Sequence, residues 1–252
     1  MNAVVPTGKP DYTALELPAA PADRPYGLIN MVMSVDGKVV IEGTERGIGS
    51  KIDQRLMREL RVNADVVLNG AGTLRASGTS SRLGDEGLES LRQAHGKGRF
   101  PLAAVLSQSG DLPYDRLFFT ARDFDAIVYL TSATPAERVA EARATGRTVH
   151  ILESSDHINE MLRHIRTELK AEVLLLEGGP TLNAEFFARS AVDELFLTIG
   201  PVIVGGEDTL TAVEGPRAAS LPEVRHLDLM SSWTNPETSE LYVRYRLRRA
   251  AA

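Results

Sequence analysis

The residues best suited to chemistry in this 252-residue chain lie where apolar runs give way to glycine. Val173–Leu176 is unbroken and apolar, and it ends at Glu177-Gly178-Gly179-Pro180-Thr181-Leu182. Paired glycines let backbone approach an anion closely, and free N–H groups at the start of a following helix favour negative charge. The segment therefore suits a pyrophosphate cradle; an ordinary tight turn between strand and helix is the other reading. Glu177, at the end of the apolar run, is placed to accept hydrogen bonds from the amino or ring N–H groups of a heterocycle, or else is a solvated loop acid. Three more segments follow apolar runs in the same way: Gly70-Ala71-Gly72-Thr73, Thr131-Ser132 and Ser34-Val35-Asp36-Gly37-Lys38. In open α/β sheets, ligands bind beyond the carboxyl ends of the strands, which is where these segments fall. The first begins like a dinucleotide fingerprint, but Arg75 takes the place of the third glycine, which argues against the ordinary dinucleotide fold. In the last, Asp36-Gly37 is a turn signal whose default is a plain hairpin turn.

Other chemistries are poorly served. The chain has no cysteine, so thiolate nucleophiles, disulfides and Cys-based metal sites are excluded. Its five histidines, at 95, 150, 157, 164 and 226, form no metal-binding pattern; His157 and His164 read as surface residues. No Gly-X-Ser-X-Gly elbow is present for a serine hydrolase. No metal is expected. What remains is hydride transfer from a bound cofactor, where the cofactor carries the difficult chemistry. A net charge of −6 argues against a nucleic-acid partner but not against a small phosphorylated ligand. No apolar stretch approaches a membrane span, and no signal peptide is apparent, so a soluble, cytoplasmic protein is expected.

The elements that must position these residues alternate along the chain. Strands are expected over 26–33, 65–68, 102–106, 127–130, 149–152 and Val173–Leu176. Ile52, Leu56 and Leu60 form an apolar helix stripe, leaving Arg55, Arg58 and Arg61 elsewhere on that helix's surface. Helices are further expected within 135–144, through Ile158, Met161, Leu162, Ile165 and Leu169, and over 181–189. Residues 77–98 read as a loop with a brief helix. Near the C-terminus Leu241, Val243, Tyr245 and Leu247 alternate with Tyr242, Arg244 and Arg246, the period of a half-exposed strand. The order implies an α/β fold: a mainly parallel central sheet, helices on both faces, and antiparallel C-terminal strands. Residues 1–25, with five prolines, read as an extended arm, and 26–252 as a single domain.

Taken together the segments resemble the reductase family of riboflavin biosynthesis, whose fold is that of dihydrofolate reductase. The resemblance rests on four motifs in order: Asn30 to Lys38, Leu60 to Thr73, Leu176 to Leu182, and Val192 to Leu195 followed by Pro201 to Gly206, which look like the family's closing strands. It implies an NADPH-dependent reductase acting on a small phosphorylated or heterocyclic substrate, and a homodimer. By it, Gly72 and Thr73 contact NADPH, and Gly178, Gly179, Pro180, Thr181 and Leu182 hold its pyrophosphate. Thr131 and Ser132 lie near its adenosine 2′-phosphate. Asn30, Ser34, Asp36 and Glu177 line the substrate side, with Asp36 and Glu177 as the catalytic pair, and Arg55 binds a substrate phosphate.

The chain also departs from the family pattern. Asn30 resembles the stand-alone archaeal and fungal forms rather than the fused bacterial enzymes. A stretch that helps the family bind its ribosyl phosphate is replaced by Leu74-Arg75-Ala76-Ser77-Gly78-Thr79. The readings carried forward are pyrimidine reduction of the riboflavin type, a dihydrofolate-type reduction, and an NADPH-binding protein without catalysis.

Overall fold

The computed structural model describes residues 6–78 and 80–248. Thr79, and the first five residues of the expected arm, lie outside the described residues. The described residues group into two compact units. One takes the chain up to Tyr12, Gly27–Met57 and everything from Pro180 onward; the other takes Thr13–Tyr26 and Arg58–Gly179. The expected arm is thus divided, its residues 13–25 belonging with the second unit.

The second unit holds five strands in the order β5-β4-β3-β2-β6, all parallel: β2 (Val66–Gly70), β3 (Leu102–Ser107), β4 (Ala126–Thr131), β5 (Thr148–Leu152) and β6 (Val173–Leu176). All six residues of β4 are buried, as an unbroken apolar run covered on both faces requires. Helices α2 (Ala71–Ser77), α4 (Leu117–Thr120) and α5 (Ala136–Ala144) supply Leu74, Phe118, Phe119 and Ala142 to a core built on Val105 and Val128. In α6 (His157–Thr167), Ile158, Met161, Leu162 and Ile165 form the buried stripe that their spacing predicts. His164 of that helix is half-buried rather than at the surface. Its Nδ1 lies 2.9 Å from the Tyr129 hydroxyl, and its ring stacks on His150 with centroids 3.9 Å apart. Helix α3 (Glu86–Ala94) is the brief helix expected within 77–98, capped by the Asp85 carboxylate, which accepts from Leu88 N. Residues of the expected arm are tied down here: Leu15 N donates to Asn63 Oδ1 and Arg166 Nε to Pro21 O.

In the first unit β1 (Tyr26–Ser34) pairs in parallel with β7 (Glu194–Gly200). Beyond β7 the antiparallel strands β9 (Leu241–Leu247) and β8 (Leu227–Thr234) follow in that order. The mainly parallel sheet with antiparallel C-terminal strands is as expected. Two details differ. Residues 201–206 are not a closing strand; the strand ends at Gly200, where an added Cβ would collide with the Ile48 carbonyl. β8 has no counterpart in the sequence reading. It is an edge strand, mostly exposed, and Ser231-Ser232 blurs its alternation.

Helix α1 (Lys51–Asn63) runs from the first unit into the second. Ser50 starts it, its hydroxyl accepting from Ile52 N at 3.0 Å. Its end is capped by Arg92 of α3, 2% exposed, whose Nη1 donates to the carbonyls of Arg61, Val62 and Ala64 at 2.5–3.1 Å.

Candidate functional site

In the second unit, the turns after β2 and β6 lie side by side. Gly70 N donates to Gly178 O at 2.8 Å, and Glu177 N to Leu68 O at 3.0 Å. A Cβ on Gly179 would stand 3.0 Å from Thr73 Oγ1, whereas one on Gly72 would meet nothing within 4 Å. Gly178 has φ +88°, a conformation that glycine takes without strain. Gly72, Thr73, Gly178 and Gly179 are therefore brought together, with open space beside Gly72. Helix α7 (Pro180–Ala188), which begins with Pro180, Thr181 and Leu182, belongs to the first unit, where Pro180 O accepts from Glu214 N.

The neighbour of Glu177 escaped the sequence reading. Arg61, expected on the helix surface, is buried, and it grips the Glu177 carboxylate through two parallel bonds, Nε to Oε1 and Nη2 to Oε2, each 2.7 Å. The two side chains are 7% and 6% exposed. A third donor, Nη1, reaches Arg82 O at 2.6 Å. A carboxylate held by a planar guanidinium fork is fixed in orientation. Glu177 is thus a preset acceptor. The one signal for Arg61 was its register: it lies one residue after Leu60 of the apolar stripe, close enough to be carried inward.

At the end of β4, Thr131 is buried and Thr134 closes the turn, donating to Gln108 O while accepting from Thr131 N. Thr131, Ser132, Thr134, Val139 and Arg143 border a cavity of about 500 Å³. Arg143 reaches it from the last turn of α5, and among the described residues its guanidinium has no ion pair or hydrogen bond.

In the first unit, Ser34 is fully buried at the end of β1. Its hydroxyl donates to Asp36 Oδ1 at 2.6 Å and accepts from Lys38 N at 2.8 Å. The Asp36 carboxylate also accepts from Val204 N and Gly205 N. The Ser34 hydroxyl, then these two amides, pull its pKa down to about 2. Asp36 is therefore an ionised anchor that fastens the turn at 34–38 to residues 204–205. Asn30 is half-buried on β1, in register with Phe196. Arg55 is half-buried on α1 and already has an interaction within the protein.

Asp53, at the first turn of α1, was also missed. It is buried, and desolvation, helped by the negative charges of Glu240 and Glu45, pushes its pKa up to about 6 against a hydrogen bond from Thr198. Glu240 beside it is buried too, accepting from Ser50 N, Ser50 Oγ, Thr238 Oγ1 and the Tyr242 hydroxyl at 2.6–2.9 Å. An acid three residues after Ser50 reads in sequence as ordinary helix-start chemistry, which hid its burial. No group of three or more metal-ligating side chains occurs among the described residues.

The family model described as the RibD C-terminal domain matches residues 25–238. A 2,5-diamino-6-ribosylamino-4(3H)-pyrimidinone 5′-phosphate reductase of Methanothermobacter thermautotrophicus is 29% identical over 89% of this chain and 99% of its own length. One of the same description from Aquifex aeolicus is 30% identical over 83% of the chain and 91% of its own length. Among solved structures, a pyrimidine reductase-like protein of Corynebacterium diphtheriae superposes with a TM-score of 0.81 at 21% identity, covering 93% of this chain and 96% of that one. The likeness to that structure is one of fold.

Proposed function

Because the chain belongs to the RibD C-terminal domain family, we propose that it is an NADPH-dependent reductase of a phosphorylated ribosylaminopyrimidine, the substrate class named for its relatives. The observation that carries the reading is the junction of the two glycine turns beside the buried Arg61–Glu177 pair. The turns offer backbone N–H groups and open space for a dinucleotide; the pair offers a rigid acceptor for a heterocycle.

The residues fit a nicotinamide dinucleotide. Gly72, Thr73, Gly178 and Gly179 would hold its pyrophosphate, and a Cβ at 179 would already crowd Thr73. Thr131, Ser132 and Arg143 around the cavity after β4 would take the adenosine 2′-phosphate, which supports NADPH over NADH. When bound, the cofactor supplies the hydride. The chain's part is to orient and to exclude water, so that the reacting carbons sit at about 3–3.5 Å. Glu177 aligns the pyrimidine by accepting from its N–H groups, with Arg61 keeping the carboxylate aimed. Asp36 serves the substrate side by holding the 34–38 turn in place, with Asn30 and Ser34 on the same strand. With its pKa near 2 it is no proton donor at neutral pH.

A homodimer fits β8, an edge strand whose Thr234 end bonds to Pro6 and Gly8 while Leu229 and Met230 stay exposed, since an exposed apolar edge is a template for a second chain. No helix is long and apolar enough to cross a membrane among the described residues, in keeping with a cytoplasmic enzyme.

The test is NADPH oxidation measured in parallel with the ribosylaminopyrimidinone 5′-phosphate and with dihydrofolate, alongside thermal melts with NADPH. Turnover of the first substrate, lost about 10²-fold or more in Glu177→Gln because the acceptor is neutralised, is the expected result. Turnover of dihydrofolate alone would replace the substrate. Cofactor binding at 100 times Kd should add about 2.7 kcal/mol of stability; a melt unmoved by NADPH would sink the cofactor assignment.

A further inference from the structure

Three side chains that the proposed reaction does not use meet at the β5 edge of the sheet: Tyr129 on β4, His150 paired with it on β5, and His164 on α6. Tyr129 is fully buried and both histidines are half-buried. The two imidazoles stack with centroids 3.9 Å apart, and each lies 5.7 Å from the Tyr129 ring, edge to face. The Tyr129 hydroxyl is 2.9 Å from His164 Nδ1 and has no other hydrogen bond among the described residues.

That geometry fixes where the protons are. Burial pushes the Tyr129 phenol well up, so it keeps its hydrogen and donates it. His164 Nδ1 is then the bare nitrogen of a neutral ring, with the ring hydrogen on Nε2. A proton added to His164 has only Nδ1 to go to, which turns that acceptor into a donor. The phenol hydrogen is left without an acceptor in a buried place, where water does not replace the bond. The new charge faces the phenol from β4, the His150 imidazole from β5 and Glu168 on its own helix, while Arg166 is engaged with Glu172 and Pro21 O. Desolvation, then the charge of His150, outweigh Glu168 and hold His164 below its ordinary 6.5.

The strands connect this cluster to the cavity after β4. Thr131 comes two residues after Tyr129 and Ile151 one after His150, and both border the cavity. Ser132, on the same border, is tied to β5 by its N–H, which donates to Leu152 O at 2.9 Å. We propose that Tyr129, His150 and His164 form a proton-sensitive latch: with both imidazoles neutral it fastens α6 to the sheet edge, and uptake of a proton releases that edge beside the cavity. The folded chain binds this proton less tightly than the unfolded chain, so the latch is fully stabilising above about pH 6.5 and weakens as the pH falls below it. Asp53, whose pKa is raised, works in the opposite sense, so the latch is read from the difference between two proteins. Its effect on the cofactor rests on the proposed reaction; the latch itself does not.

His164→Asn is the test variant, because an amide oxygen can accept from the phenol in place of Nδ1 and does not titrate. Hydrogen exchange over residues 148–152 and 157–167, corrected for the intrinsic pH dependence of exchange, is compared at about pH 7.5 and about pH 5. In the wild type, opening of this edge should grow by up to about tenfold per pH unit as one proton is taken up. In His164→Asn it should stay flat, and melts at the higher pH check that the variant folds. NMR of the imidazole Cε1–H groups should show His164 titrating below 6.5, and moving upward in His150→Phe, which keeps a ring on the stack without its charge. NADPH affinity should fall between the two pH values more in the wild type than in His164→Asn, the titration of the 2′-phosphate being common to both. Exchange that rises equally in the two proteins, or a His164 that titrates at 6.5 or above, overturns the latch. Equal losses of NADPH affinity remove its link to the cavity. If neither protein binds NADPH at either pH, the cofactor reading fails and exchange alone decides the latch.

Discussion

At the scale of single residues, the carboxylates of Glu177, Asp36 and Asp53 behave differently because of what faces each one. Glu177 is buried and held in one orientation by a guanidinium fork. Asp36 is bonded to a hydroxyl and two amides, which favour its charged form. Asp53 is buried near two other acids with one hydroxyl for company, and favours the neutral form. Its pKa of about 6 lies above the ordinary 3.8, so the folded chain holds this proton more tightly than the unfolded chain does. The resulting stability is present below about pH 4 and is lost as the pH rises through about 6. Asp53→Asn, neutral at every pH, should therefore be more stable than wild type at pH 8, by about 1–3 kcal/mol. It should gain little at pH 4. Melting curves from pH 4 to 8 test this: parallel pH profiles for the two proteins would refute the assignment.

At the scale of elements, α1 matters most, because Asp53, Arg55 and Arg61 all ride on it. Its start is tied to Glu240, the residue before β9, through the bonds of Ser50, and its end is closed by Arg92. Deleting that cap leaves three buried carbonyls with no donor. Arg92→Met should cost about 3–5 kcal/mol, several degrees or more in Tm, as for other losses of a buried charged partner. Turnover should suffer with it, since Arg61 is one of the capped residues. A variant that melts within a degree or two of wild type would show that the cap is dispensable. The helix itself was legible from Ile52, Leu56 and Leu60, and so were the buried strands, whose apolar runs leave little choice. Strand β8 was not legible, because an exposed edge strand has no core-facing pattern to impose on its residues.

At the scale of the whole molecule, the open question is the second copy. The chain's mass is 27.4 kDa. A homodimer built on β8 predicts a particle of twice that mass by light scattering, and Leu229→Lys should shift it to the monomer by placing a charge on the edge. A monomeric wild type at assay concentration would remove the dimer from the proposal.

The sequence by itself determined the α/β class, the buried strands along the chain and the two glycine turns. These depend on local periodicity and on backbone freedom, which neighbours along the chain suffice to specify. Only the tertiary structure decided that Arg61 belongs to Glu177, 116 residues away, that Asp53 loses its water, and that Tyr129, His150 and His164 meet. Charge pairing and desolvation depend on which segments the fold brings together, and no spacing in the chain encodes that distance.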